Sequence, residues 1–476
     1  MPNLGSTGVE HVLNCHLRRV ARPIRRFALT GICLLVFFSM QACRKGNQPA
    51  PGITLTLIDQ SWIDKETRGQ LNEQLVRFTS QTGVRVQVLT GPEAAVEQLA
   101  TWRRLLESGA EVPDVYAIDV IWPGILAGNL VDLKAYIPSQ EIAEYLPELI
   151  ANNTVDGRLV ALPAALSEGL LFYRADLLRE YGYRTPPKTW KELEAMAWRI
   201  QAGERAKGNK DFWGYVWQGA PSEALTCNAL EWQVSEGAGT VLDEEGRPTV
   251  NNPHTILAWE RAARWVGWIS PPGVIAYKEW DAFNVWQAGK AAFMRNWTSA
   301  YTASRAKRSP VRDKFDVAPL PRGGAGLAAT LGGNGYGVSR HSRHPRESAM
   351  LVRFLSSPEE QIWRSRYSAE PPTIAQLYQD PEVLSGNPQY ALVLEVFRKG
   401  GALRPSRAAG RRYPDISRAY FETVHDVLSR KKTASQAAAE LQGELLGVIG
   451  TPAAHGHAEE RQKTAASLGS TRGGHS

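Results

Sequence analysis

From residue 53 onward, the spacing of apolar residues divides the chain into alternating strands and helices. Ile53-Thr54-Leu55-Thr56-Leu57-Ile58-Asp59 alternates and then turns apolar, which predicts a strand entering a buried sheet. Leu71, Leu75 and Phe78 recur at helical spacing, and Gly83 stops that helix. Val84-Arg85-Val86-Gln87-Val88-Leu89 predicts a second strand. A helix follows over 93–107, and Asp114-Val115-Tyr116-Ala117-Ile118-Asp119 predicts a third strand. Strand, helix, strand, helix, strand is the pattern of a parallel α/β sheet. Ligands of such sheets bind beyond the carboxyl ends of the strands, where Asp59-Gln60 and Asp119 stand. The same residues could instead cap the helices that follow.

After the turn at Asp156-Gly157, Leu159-Val160-Ala161-Leu162-Pro163 and Gly169-Leu170-Leu171-Phe172-Tyr173 predict two further strands, with a helix from Asp176 to Tyr181. Thr189 is the expected N-cap of a helix through Ile200, which opens a helix-rich unit reaching about Val311. Phe315-Asp316-Val317-Ala318-Pro319-Leu320-Pro321 and Gly332-Gly333-Asn334-Gly335-Tyr336-Gly337-Val338-Ser339 read as strands on either side of a glycine-rich turn. Helices follow from Pro345 to Leu355, from Pro358, and onward to about Ile449. Residues 451–476 are Ala, Gly, His, Ser and Thr with scattered charges, the composition of a disordered tail.

The N-terminal segment has a different pattern. Phe27 to Met40 is the one long apolar run, too short to span a bilayer comfortably. Five arginines (Arg18, Arg19, Arg22, Arg25, Arg26) precede it and Ala42 follows, so 1–42 reads as a signal peptide. Met40-Gln41-Ala42-Cys43 resembles the bacterial lipobox, in which the cysteine becomes the lipid-modified first residue of the mature chain. That makes 43–52 a lipidated tether on the extracytoplasmic or periplasmic face. Ordinary cleavage near Ala42, with Cys43 unmodified, is the alternative. Cys15 and Cys33 leave with the signal, so Cys227 has no partner for an internal disulfide.

Removing the signal also changes the charge. The whole chain carries +7; its first 42 residues hold five arginines and Glu10, so +7 − 4 leaves about +3. Without a basic block in the folded part, nucleic acid is not an expected partner. No HExxH, CxxC pair or GxSxG occurs, and Gly323-Gly324-Ala325-Gly326 lacks the Lys-Ser/Thr of a phosphate loop. No cofactor or metal is expected. Of 15 tryptophans, 11 lie between Trp190 and Trp297. Most must be core, although a few facing a cleft would suit the apolar C–H faces of sugars.

Four stretches carry a family resemblance. They are Pro113 to Trp122; Ala161-Leu162-Pro163 through Tyr173-Arg174-Ala175-Asp176-Leu177-Leu178; Phe212-Trp213-Gly214-Tyr215-Val216-Trp217-Gln218-Gly219 with Leu230-Glu231-Trp232; and Gly289-Lys290-Ala291-Ala292-Phe293-Met294-Arg295-Asn296-Trp297. In this order they resemble the extracellular solute-binding proteins of carbohydrate ABC transporters, above all the trehalose/maltose-binding branch. The resemblance implies a two-lobed α/β fold with a hinge and an interlobe ligand cleft. One lobe comes from 53–162 plus 315–356 and the other from 163–314 plus 357–450. It further implies a monomer that closes on a carbohydrate and presents it to ABC permease subunits in the inner membrane, without chemistry on the sugar.

The same resemblance assigns site residues. Asp119 corresponds to the carboxylate that accepts from sugar hydroxyls in the first lobe, and Glu168 to its counterpart past the hinge, where relatives often have Asp. Gln60 falls near an N-terminal sugar contact that is often acidic. Trp297 resembles a stacking tryptophan, with Thr298 where relatives frequently have proline. Gly333 marks a close backbone approach, and Arg404 in Leu403-Arg404-Pro405 resembles the arginine that clamps hydroxyls. Glu231 and Trp280 are further candidates. Carboxylates accept and arginine donates, giving charge-assisted bonds to neutral hydroxyls. Two rival readings remain. One is a secreted carbohydrate-active hydrolase using Asp119 and Glu168 as its two carboxylates; the other is a binding protein reused as a sensor.

Overall fold

The computed structural model of the chain describes residues 52–59, 65–92, 95–368 and 370–450. The expected signal peptide, Cys43, Gln60 and the expected tail 451–476 lie outside the described residues.

The strands are β1 (Thr54–Asp59), β2 (Arg85–Thr90), β3 (Val115–Asp119), β4 (Thr154–Val155), β5 (Arg158–Leu159), β6 (Leu162–Arg174), β7 (Trp213–Val216), β8 (Ala291–Trp297), β9 (Phe315–Ala318), β10 (Ala329–Val338) and β11 (Gly401–Ala402). The helices of eight residues or more are α1 (Lys65–Thr82), α2 (Ala95–Glu107), α3 (Trp190–Ala206), α4 (Glu223–Ser235), α5 (Pro253–Trp265), α6 (Glu279–Gln287), α7 (Pro345–Leu355), α8 (Pro358–Ser365), α9 (Tyr390–Gly400), α10 (Tyr413–Leu428) and α11 (Ala434–Gly450).

β1 lies parallel to both β2 and β3, as the strand–helix alternation predicts. Gly83 takes a φ of +77° just past α1, a left-handed stop that only glycine adopts without cost. Thr189 accepts from the Glu192 amide at 3.2 Å and starts α3 where expected. The sheet continues in the order β2-β1-β3-β10-β6-β8-β7, with β11 on β10 and β9 on β6.

β6 differs from expectation. In place of two strands there is one, 13 residues long, that crosses from one lobe to the other. Its first half pairs with β10, ending at Glu168 opposite Leu331. Its second half pairs with β8, beginning at Gly169 opposite Trp297. Neighbours on both sides of this handover satisfy the backbone, so Gly169 need not break the strand.

Two segments fall outside their expected lobes. β9 pairs with Leu171–Arg174 at the β8 end of β6, so 315–318 belongs with the second lobe, not the first. α8 stays with the first lobe. Its Glu360 pairs with Arg77 of α1 at 2.5 Å, and Arg364 donates to the Ala164 carbonyl at 2.7 Å. Ile374 and Leu377 likewise join the first-lobe core of Leu55, Leu57, Phe78 and Val115. Proline 358 starts a new helix without sending it to another lobe; partner side chains decide that.

Most tryptophans of the 190–297 stretch form the second-lobe core, as expected. Trp217, Trp232 and Trp265 meet edge to face, with Trp190 tilted on Trp265, and all four are buried. Such pairs add directional packing to area burial.

Candidate functional site

Asp119 closes β3, and its Oδ1 accepts from the Ile121 amide at 3.1 Å. That bond closes a turn within 119–121, whereas the helix Pro123–Leu126 starts after Trp122 with no side-chain cap, so Asp119 is not a helix cap. Arg404 follows β11, and its Nη2 comes within 3.6 Å of Asp119 Oδ1. Nη2 also donates to the Leu331 carbonyl at 3.1 Å, and Nη1 donates to Glu223 Oε1 at 3.0 Å. Arg404 Nε is buried and has no hydrogen-bond partner among the described residues. Glu223 is the first residue of α4, where the helix dipole favours an acid. It also accepts from the Tyr413 hydroxyl and from Ser417 Oγ, the latter at 2.6 Å. The end of β3, β10 and α4 thus converge on the Arg404 guanidinium, and α10 joins through Glu223.

About a quarter of the Asp119 side chain remains exposed. The surrounding protein still pushes its carboxyl above the ordinary value through burial, against the pull of Arg404 and the Ile121 amide; Glu223 adds to the rise. Asp119 thus keeps solvent-facing acceptor capacity beside the buried Arg404 guanidinium.

Beside it, Ser167, Trp297, Gly333 and Asn334 are also only part-buried, and Asn334 stands opposite Asp119 in the register. A side chain on Gly332 would come within 3.0 Å of the Trp297 ring and 3.5 Å of Ser167 Cβ, which places these groups on one face of the sheet. Ser167 Oγ lies 3.0 Å from Thr298 Oγ1. The Arg295 guanidinium covers the Trp297 ring at 4.1 Å from its centroid. Gly333 has a φ of +122°, and a Cβ there would lie 2.2 Å from the Ala165 carbonyl oxygen. Its own carbonyl accepts from the Val120 amide at 3.2 Å. Close strand packing is itself enough to require glycine here.

Three sequence candidates stand elsewhere. Glu168 alternates with Ser167 and Gly169, so it points to the opposite face, with Leu166, Leu170 and the facing Leu331. Those three leucines belong to one buried cluster. Glu168 is fully buried, and among the described residues neither carboxyl oxygen has a hydrogen-bond partner. Burial, and then the charge of Glu231, hold its carboxyl well above the usual range. The expected second cleft carboxylate is therefore one residue out of register, and a one-residue slip reverses the face. Ser167 takes the cleft side instead, a placement legible in the period-two spacing of Leu166 and Leu170.

Glu231 is committed internally. Arg295 grips it through Nε at 3.0 Å and Nη2 at 2.5 Å, and the Thr330 amide donates at 3.1 Å. Both members of the pair are fully buried. Trp280 is 66% exposed on α6, edge-on to Phe283. Asn296, next to Trp297, reaches the Glu279 carbonyl at 3.4 Å and so ties the start of α6 to the end of β8.

Cys227 is a free, buried thiol, pushed up to about 12 chiefly by burial. No group of three or more His, Cys, Asp or Glu among the described residues is arranged to hold a metal ion. No described helix is long and apolar enough to cross a membrane.

Comparison with known proteins bears on this arrangement. The family described as bacterial extracellular solute-binding protein matches residues 60–362. A probable ABC transporter-binding protein of Deinococcus radiodurans is 43% identical over 374 residues, covering 78% of this chain and 89% of that protein. A probable amino-acid ABC transporter periplasmic-binding protein of Sinorhizobium fredii is 25% identical, covering 77% of this chain and 83% of that one. Among solved structures, maltose-bound T. maritima MalE3 superposes with a TM-score of 0.77 at 35% identity, covering 83% of this chain and 99% of that one. The chain belongs to the bacterial extracellular solute-binding protein family, the extracytoplasmic binding components of ABC transporters.

Proposed function

We propose that this protein binds a carbohydrate, an α-linked disaccharide such as trehalose or maltose, at the junction of its lobes and presents it to an ABC permease. The observation that carries the reading is the meeting of Asp119 and Arg404 from opposite lobes at 3.6 Å. Asp119 offers acceptor capacity, and Arg404 Nε is a buried donor without a partner among the described residues. Sugar hydroxyls donate and accept at once, so they complement a part-exposed carboxylate set beside a guanidinium. Ser167 and Asn334 add neutral polar groups, and Trp297 an aromatic surface, with Trp280 on the adjoining helix. Glu168 and Glu231 are left out of the binding set, the first by its direction and the second by Arg295. The maltose bound to the T. maritima relative supports the substrate class.

Lobe closure supplies the signal to the permease, because a ligand shifts closure only by its differential affinity for the closed form. Lipidation at Cys43 holds the monomer at the membrane. A Cys43→Ser chain released from membranes into the soluble fraction is the expected check on that anchor.

Calorimetry with trehalose, maltose, sucrose and longer glucans tests the substrate class. The expected result is tight binding of one α-linked disaccharide and its recovery unchanged after incubation. Silence from every sugar with binding of an amino acid, the solute named for the S. fredii relative, overturns the reading. Cleaved products would favour a hydrolase instead.

A further inference from the structure

Glu168 stands at an unusual place for an unpaired carboxyl. It is the last residue of β6 to pair with β10, and Gly169 is the first to pair with β8. The chain passes from one lobe's sheet to the other's at this step. Leu166, Leu170 and Leu331 share its face. An ionised carboxylate without partners in such a setting carries a large desolvation cost, and a protein relieves it by keeping the group protonated.

The surrounding titratable groups offer no relief. On the 375–379 turn, Tyr378 already donates its hydroxyl to the Pro372 carbonyl at 2.8 Å. On α9, Tyr390 donates to the carbonyls of Ser368 and Glu370, while Glu395, Arg398 and Lys399 are exposed to solvent. Glu148 on helix Pro147–Asn152 is exposed as well. Glu231 of α4 is held by Arg295.

We propose that Glu168 is a proton-dependent lock on the interlobe hinge: protonated, it lets the β6–β10 crossing pack shut on this face, and ionised, it forces that packing open. The lock is intrinsic to the unliganded chain, so it stands or falls independently of which solute the cleft takes. Burial and the Glu231 charge raise the folded-state titration of this group. The unfolded chain ionises it near its ordinary value, about 4.3. Its contribution to stability is therefore complete below that value and is lost as pH rises toward the raised folded value.

Hydrogen exchange of the unliganded protein, read over 162–174 and 329–338 at a series of pH values, tests the lock. After division by the intrinsic base-catalysed rate at each pH, the expected result is a protection factor that falls at the crossing as pH rises, stays constant in β1 and β2, and is flat in Glu168→Gln. In parallel, the unfolding constant of the wild type should rise up to tenfold per pH unit more steeply than that of Glu168→Gln. An infrared band of a protonated carboxyl at neutral pH, absent from Glu168→Gln, is the third expected sign, and Glu168→Met replaces that variant if it does not fold. Identical pH profiles for wild type and both variants, or no protonated-carboxyl band, would overturn the proposal.

Discussion

Two buried glutamates near the hinge have opposite fates. Glu231 is enclosed with Arg295, which reaches it through two guanidinium nitrogens, and the Thr330 amide supplies a further donor. Glu168 has an apolar face around it and no partner for either oxygen among the described residues. Burial is complete for both, so burial does not distinguish them; the partner does. A paired charge can stay charged in the interior, whereas an unpaired one is displaced toward its neutral form. Neither glutamate is free to receive a solute. In the proposed function that role falls to Asp119, which keeps part of its surface exposed and meets Arg404.

Breaking the paired member should have the largest effect. Arg295→Met leaves Glu231 buried without its cation, and a loss of about 3–5 kcal/mol is expected in urea unfolding. A loss no greater than that of Glu168→Gln would erase the contrast. Gly333→Ala comes next, since its φ of +122° and the Ala165 carbonyl both oppose a side chain. About 1–3 kcal/mol should be lost, visible as a lowered melting temperature.

Arg404→Ala is expected to weaken sugar binding by about 1.5–3 kcal/mol, the range for a charge-assisted hydrogen bond, while the chain stays folded. Glu223 keeps Tyr413 and Ser417 as partners in that variant. An unchanged dissociation constant by calorimetry would remove Arg404 from the site. Asp119 adds a pH effect of opposite sense to that of Glu168. Its raised carboxyl accepts most strongly from hydroxyls when ionised, so affinity should fall as pH drops toward its titration, from a point above the ordinary value of about 3.9. Asp119→Asn should flatten that profile. The smallest effect belongs to Trp280→Ala, which on a 66% exposed side chain should move stability by no more than about 0.5 kcal/mol. A change confined to longer glucans would place Trp280 at the cleft rim.

The alternation of Ile53 to Asp59, the helical spacing of Leu71, Leu75 and Phe78, and the apolar run ending at Asp119 gave the parallel start of the sheet correctly. That most tryptophans of 190–297 are core was recognisable because so many large rings cannot all remain at the surface. The site was less legible. Asp119 and Arg404 could be named, yet their meeting depends on a loop after β11 that returns beside β3. Glu168 was placed on the cleft although Leu166 and Leu170 already marked its face as apolar. Glu223 looked like an ordinary acid at a helix start; only its convergence with Arg404, Tyr413 and Ser417 shows otherwise.

Local order in the chain determined the elements, because strand alternation, helical spacing and glycine stops act over a few residues. Long-range pairing decided where the lobes divide and which polar groups meet. The handover of β6 from β10 to β8, the return of β9 to the second lobe and the attachment of α8 to α1 all join residues distant along the chain. Whether a buried acid is held by a cation or left alone is likewise set by what packs against it, and no short window of sequence contains that neighbour.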